Sequence, residues 1–159
     1  MPLIFNVKHV ARDSLRLEGE LTPAELELEE VDELIHLAGP VLYDLVVEKL
    51  EEDFLVQGRL ETSLRCECAR CLKSFTRSLE IPEFIAALPT QGEEAVPVVN
   101  DCIDLTPLVR EDILLGLPQH PLCEPMCRGL EKPAPGSVSA PAGPAAASSV
   151  WDELNKLKL

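Results

Sequence analysis

The sequence predicts an α+β fold: mainly an antiparallel β-sheet or open barrel, with one covering helix and a short C-terminal helix. Three observations lead there. Two strand-like runs, residues 41–50 and 54–68, are joined by only the three acids Glu51, Glu52 and Asp53, so they form an antiparallel hairpin. A single stretch, residues 105–117, carries helical periodicity. Two close cysteine pairs, Cys68 with Cys71 and Cys123 with Cys127, lie about fifty residues apart and flank the segment that must bring them together.

The longer strand carries the clearest pattern. Phe54, Val56, Gly58, Leu60, Thr62, Leu64, Cys66 and Cys68 share one parity; Leu55, Gln57, Arg59, Glu61, Ser63, Arg65 and Glu67 share the other. Side chains alternate along a strand, so a mostly apolar face runs directly into the thiols. Before the hairpin, residues 3–7 predict a short strand. Leu15 with Leu17, and Leu26 with Leu28, alternate with charged residues as half-buried strands do. Thr22-Pro23 is placed to start a single helical turn between them. Residues 33–38 are ambiguous and end at Gly39-Pro40.

After the cysteine turn, residues 75–81 return as a strand and residues 84–88 continue it beyond Pro82, giving a meander. Residues 90–95 read as a mobile loop. Residues 102–104 form a last short strand, with Cys102 a small buried residue rather than a ligand, because it has no partner nearby in sequence. In the helix, Thr106 is the expected cap and Pro107 the first residue. Leu105, Leu108, Val109, Ile113 and Leu117 share one face, and Pro118 and Pro121 end it. The folded domain is expected to span residues 1–132. Residues 133–149 are nearly all Pro, Ala, Gly and Ser, the composition of a flexible linker. Residues 150–159 predict a short helix. A helix of that length is marginal alone, so Trp151 and Leu154 are expected to dock onto the body or onto a partner.

Composition bounds the function. The 159 residues are 46% apolar but only 4% aromatic, so the core is built from Leu, Val and Ile. No apolar run is long enough to span a membrane, and the N-terminus lacks the basic start and apolar stretch of a secretory signal. Six cysteines without such a signal fit a reducing cytoplasm, where metal binding is favoured over disulfides. The net charge of -14 argues against chain-wide attraction to nucleic acid. The charge is uneven, however. Residues 18–53 hold thirteen acids against the single base Lys49, whereas Arg65, Arg70, Lys73 and Arg77 outnumber Glu67 around the first cysteine pair. Those four bases are candidate contacts to phosphates.

Two close cysteine pairs on either side of a folded segment are what a tetrahedral zinc site needs, since each pair brings two thiolates to one side of the metal. Cys66 is a possible substitute ligand. Two alternatives stand beside zinc: cysteines packed as reduced thiols, and a redox C-x-x-C. Redox sites of that type place the first cysteine at a helix N-terminus, whereas this one leaves a strand. No phosphate-binding glycine loop, H-E-x-x-H or paired-carboxylate motif is present, and the three histidines form no catalytic pattern.

Several blocks in order resemble a known family. Cys68-Ala69-Arg70-Cys71-Leu72 followed by Phe75 resembles the C-x-R-C-L motif of the YceD-type large ribosomal RNA subunit accumulation proteins. Asp104-Leu105, the stretch 110–118, and Pro121-Leu122-Cys123 through Cys127-Arg128-Gly129-Leu130 are similar to its second block; Trp151 to Leu157 is similar to the short helix that often ends these proteins. The resemblance implies a non-catalytic cytoplasmic factor that supports accumulation of large-subunit (23S) ribosomal RNA. Its implied partners are that RNA or the pre-ribosome, and a basic large-subunit ribosomal protein; no membrane is involved. A departure matters: many relatives continue with C-P-x-C-G, whereas here Leu130 is followed by Glu131-Lys132-Pro133. The ligands left are Cys68, Cys71, Cys123 and Cys127. Two other readings remain: a zinc-stabilised protein-interaction module without a ribosomal role, and a thiol oxidoreductase.

Overall fold

The computed structural model describes residues 2–10 and 13–130. In chain order the elements are β1 (Ile4–Asn6), α1 (Val7–Val10), β2 (Leu15–Leu21), β3 (Ile35–Leu37), β4 (Val41–Leu50), β5 (Asp53–Glu67), β6 (Ser74–Leu88), β7 (Cys102–Asp104) and α2 (Thr106–Gly116). The fold is α+β and mostly antiparallel, and the main sheet does not close into a barrel.

β5 is the spine of that sheet. One of its edges is shared: β4 pairs with its first half, Leu50 opposite Asp53 through Leu42 opposite Glu61, and β3 pairs with its second half, Ile35 opposite Cys66. The other edge carries β6 for its whole length. β2 extends the sheet beyond β4. β1 and β7 form a separate two-stranded ribbon, closed against α1 by the Val7 amide donating to the Asp101 carbonyl at 2.8 Å.

The two-residue period of β5 is realised in full. Phe54, Val56, Leu60, Thr62, Leu64, Cys66 and Cys68 are buried, and no residue of the opposite parity is. Cross-strand partners share a face, so Leu45 and Val47 of β4 and Phe84, Ala86 and Leu88 of β6 extend the same apolar surface. It is covered by Phe5 and Ile103 of the ribbon, Val109 and Ile113 of α2, and Leu26 and Leu28. Phe5 meets Phe54 edge to face at 5.8 Å between centroids. Thr62 is the polar residue of this face, and its hydroxyl donates to the Pro40 carbonyl at 3.2 Å.

Gly58 allows β4 to approach β5 closely here. A β-carbon at this position would lie 2.1 Å from the Asp44 carbonyl oxygen and 2.7 Å from the Leu45 Cα, so only glycine fits. Directly beyond it, the β5–β6 register slips between Gly58 and Leu60, which leaves Pro82 and Glu83 opposite Arg59. Proline lacks an N–H and is tolerated where a bulge interrupts the ladder. β6 therefore runs unbroken through Pro82.

Several local expectations are corrected. Leu26 and Leu28 are not in a strand. The chain from Thr22 turns helically, with the Leu26 amide donating to the Thr22 carbonyl and the Leu28 amide to the Pro23 carbonyl. The capping box is reciprocal: the Thr22 hydroxyl accepts from the Glu25 amide and the Glu25 carboxylate accepts from the Thr22 amide. Two leucines two apart mimic a strand, but this turn buries both. Residues 3–7 divide into β1 and the one-turn helix α1, which the sequence reading did not anticipate.

Thr106 does not cap α2. The Asp104 carboxylate accepts from the Thr106 amide at 2.8 Å, while the Thr106 hydroxyl accepts from the Leu3 amide at 2.9 Å and pins the N-terminal chain; Pro107 is the second helical residue. Cys102 is half-buried rather than buried, near the Asn6 amide nitrogen. In the 90–95 loop, Thr90 is tied to the β4–β5 turn through the Glu52 carbonyl and the Asp53 carboxylate. The expected linker, the terminal helix, and Trp151 and Leu154 lie outside the described residues. Among the described residues no helix is long and apolar enough to cross a membrane.

Candidate metal centre

The apolar face of β5 does not stop at the main core. Leu64, Cys66 and Ile35 form a second buried cluster, against which Leu34, Leu37, Phe75, Leu79 and Leu117 pack. Two elements deliver the cysteines from this base. β5 ends at Glu67 and hands Cys68 and Cys71 to a tight turn, in which the Cys68 amide donates to the Lys73 carbonyl and the Leu72 amide to the Cys68 carbonyl, both at 2.9 Å. α2 ends against β6, where a β-carbon on Gly116 would lie 3.2 Å from the Leu79 side chain. Leu117 then leaves in an extended conformation onto the second cluster. Pro118 and Pro121 keep the chain from resuming a helix, and it arrives at Cys123.

The two halves are joined directly. The Ala69 amide donates to the Pro121 carbonyl at 2.7 Å, and the Arg70 guanidinium donates to the Cys127 carbonyl at 2.9 Å. Gly129 adopts φ +87°, a conformation glycine reaches without strain, and lies over the Arg70 backbone. The sulfurs of Cys68, Cys71, Cys123 and Cys127 all lie within 4.8 Å of one another. Cys68 Sγ is 3.7 Å from Cys127 Sγ, and Cys71 Sγ is 3.5 Å from Cys123 Sγ. A tetrahedron of thiolates at about 2.3 Å from a zinc ion has edges of ~3.8 Å, so the arrangement is the size of a metal tetrahedron. Such a group of four thiols has the composition and spacing to hold a metal ion.

The electrostatics point the same way. The Cys71 amide, aimed at Cys68, leads the groups that pull the Cys68 thiol down to about 6; the amides of Cys123 and Arg70 add to it against the opposing effect of burial. Cys123 is pushed up to about 12, first by the Cys71 thiol hydrogen bond and then by burial and the remaining sulfurs. For Cys127 the Gly129 amide lowers the pKa, but burial and the sulfurs of Cys71 and Cys68 outweigh it, and the thiol is raised. One site therefore ionises readily and its neighbours resist, as expected of like acids crowded together. A dication held by Cys68, Cys71, Cys123 and Cys127 would remove that conflict, because it would stabilise all four thiolates together.

The residues singled out from the sequence occupy distinct places. Cys66 is fully buried in the second cluster, where burial raises its thiol pKa, and it stands outside the sulfur group. The four bases do not form one patch. Arg65 pairs across the sheet with Thr76 and His36 on the outer face, whereas Arg77 lies opposite Leu64 on the inner face. Lys73 is exposed at the turn, and Arg70 is engaged with Cys127. Sequence reasoning missed the Arg70 clasp, the Ala69–Pro121 link and the left-handed backbone of Leu72, φ +61°. Nothing local in the sequence signals the first two, because their partners lie about fifty residues away.

Comparison with known proteins adds the family. The model of the family described as large ribosomal RNA subunit accumulation protein YceD matches residues 56–158. An uncharacterized protein of Mycobacterium tuberculosis is 34% identical over 95 residues, covering 55% of this chain and 46% of that protein. An uncharacterized protein of Mycobacterium leprae is 32% identical over 105 residues, covering 61% and 48% respectively. The chain thus spans about half the length of the curated relatives it matches. No solved structure matches. The family match runs through β5, the four-cysteine knuckle and α2 to the C-terminal segment, and on that match the chain belongs to the YceD family of large ribosomal RNA subunit accumulation proteins.

Proposed function

We propose that this protein is a non-catalytic ribosome-biogenesis factor of the cytoplasm that supports accumulation of large-subunit ribosomal RNA. The family match over residues 56–158 carries this reading. The protein binds the RNA or the pre-ribosome, and its acidic N-terminal half is suited to a basic large-subunit ribosomal protein. Zinc, held by Cys68, Cys71, Cys123 and Cys127, is its structural cofactor. The donor set supports that choice: four thiolates in closed geometry make a structural zinc site, and no ligand position is left open for a substrate. Its work is to lock the end of β5 to the chain that follows α2.

The low thiol pKa of Cys68 favours a second reading, a thiol oxidoreductase. Against it, the same sulfur sits within reach of three others rather than one resolving partner, and Cys68 follows a strand rather than opening a helix. Depletion of the protein from its host tests the functional reading. Large-subunit ribosomal RNA falls relative to small-subunit RNA, and the large-subunit peak of a sucrose-gradient profile shrinks. Unchanged large-subunit RNA after depletion contradicts it.

A further inference from the structure

Among the described residues, the covering elements leave one face of the main sheet bare. The β1–β7 ribbon, α2 and the turn at Leu26 and Leu28 all pack on the face that carries Val56 and Leu60. Register defines the other face. Arg16, Val46, Gln57 and Ile85 form one row across β2, β4, β5 and β6, and Glu48, Leu55 and Ala87 form the next. The solvent side of an antiparallel sheet ordinarily carries polar residues. Here these adjacent rows carry Val46, Leu55, Ile85 and Ala87, and Ile85 is 64% exposed. The rows sit beside the β6 bulge, where Pro82 and Glu83 stand opposite Arg59. The result is a shallow, open groove of about 820 Å³ whose lining includes Val46, Glu48, Gln57, Pro82, Glu83 and Ile85.

The charge around this groove is of one sign once its ion pairs are drawn. Arg16 is shared between Asp44 at 2.9 Å and Glu18 at 2.8 Å, and Arg59 between Glu61 at 3.0 Å and Glu80 at 4.0 Å. Each base therefore faces two acids. Glu48 and Glu83 line the groove and have no basic partner among the described residues. They stand on β4 and β6, on either side of β5, two strand spacings or ~10 Å apart laterally, and the row of Val46 and Ile85 lies between them. An apolar floor inside a charged rim is the anatomy of a docking surface. The sign of the rim selects the occupant. It repels a polyanion such as RNA, and a second copy of a chain that carries -14 brings the same charge with it. A small polycation meets the carboxylates but leaves the apolar floor uncovered. A polypeptide segment that alternates lysine or arginine with apolar residues satisfies both. We propose that this groove docks such a segment of a protein partner, with cations at Glu48 and Glu83 and an apolar side chain on Val46 and Ile85. The source of the segment, a basic large-subunit ribosomal protein, rests on the functional reading above; the surface and the form of the segment go beyond it.

The test uses the full chain and fluorescence anisotropy with labelled probes. These are a peptide of alternating lysine and valine, about twelve residues or ~40 Å when extended, the same peptide with serine for valine, and an oligouridine of equal length. The lysine–valine peptide binds tightest and the oligouridine weakest. Glu48→Gln with Glu83→Gln weakens the lysine–valine peptide about tenfold and flattens its salt dependence. Glu29→Gln with Glu30→Gln removes the same charge from an exposed stretch after Leu28 and changes affinity by less than about twofold. Ile85→Thr keeps a β-branched side chain in the strand. It weakens the lysine–valine peptide roughly fivefold and leaves the lysine–serine peptide unchanged. Both groove variants keep the wild-type thermal midpoint, because Glu48, Glu83 and Ile85 are exposed. Wild-type affinity in both groove variants overturns the proposal. So does an equal loss on changing Glu29 and Glu30, which makes the attraction chain-wide, or an oligouridine bound as tightly as the lysine–valine peptide. A chain that sediments as a dimer until Ile85→Thr is introduced also overturns it and assigns the face to a second copy. In the host, a Glu48→Gln/Glu83→Gln/Ile85→Thr chain fails to restore large-subunit RNA after depletion. Full restoration by that chain overturns the groove's role there while sparing the functional reading. Depletion without any RNA loss sinks the functional reading itself, and the peptide titrations still decide whether the groove binds.

Discussion

Cys68 is the residue on which both halves of the knuckle converge. It ends the buried row of β5, its sulfur lies 3.7 Å from that of Cys127, and three backbone amides lower its pKa to about 6. In the metal-free chain this sets a sign. Between about 6 and the ordinary thiol value the native chain has lost the Cys68 proton that the unfolded chain keeps, so stability rises with pH over that window. Above the ordinary value Cys123, held up to about 12, keeps a proton that the unfolded chain loses, so the contribution reverses and stability falls. Thermal unfolding in excess chelator is expected to follow this rise and fall, and Cys68→Ser removes the rise. Cys66 differs in kind. Buried among Ile35 and Leu64 and outside the sulfur group, it is expected to cost about 1 kcal/mol on replacement by alanine with metal content unchanged. Cys123→Ser, by contrast, is expected to lower metal content. Chemical denaturation with metal analysis of both variants separates the two roles.

At the scale of elements, β5 was readable because its period is strict and its length leaves no doubt about the face; the buried row was legible residue by residue down to Cys68. α2 was legible through Leu105, Val109 and Ile113, but not its cap. The cap position falls on Leu105 with no side-chain cap bond, while the Thr106 hydroxyl accepts from the distant Leu3 amide, a pairing that local sequence does not reveal. Leu26 and Leu28 misled because a helical turn and a strand can each bury residues two apart when the turn is short. Spacing showed the two cysteine pairs but left Cys66 as a substitute ligand; the structure groups the other four sulfurs and leaves Cys66 apart. The placement of the bases was not legible, because Arg65 and Arg77 are assigned to opposite faces by pairing register, which spacing along one strand does not reveal. Gly58 offers a direct test of that register. Its absent β-carbon leaves room for the Asp44 carbonyl and Leu45 beside the bulge at Pro82. Gly58→Ala is expected to destabilise the domain by about 1–3 kcal/mol in urea unfolding. An alanine accepted without loss means that β4 and β5 do not approach as described.

For the whole molecule, the covering layer and the sheet are tied at both ends of α2. The Leu3–Thr106 bond and the β1–β7 ribbon hold its start. Its end leads through Leu117 into the knuckle, where Ala69–Pro121, Arg70–Cys127 and the four sulfurs close the connection. With an aromatic content of only 4%, the core gains from such a clasp, since a metal that binds the folded state alone adds its binding energy to stability. The central claim is that this clasp is a four-thiolate zinc centre. Native mass spectrometry of the full chain, paired with a count of reactive thiols before and after chelation, tests it most directly. The account predicts one zinc per chain, with Cys102 the readily reactive thiol in the native protein and four further thiols released when zinc is removed. A metal-free chain isolated from zinc-replete cells, with all four knuckle thiols reactive or joined as disulfides before chelation, would contradict it.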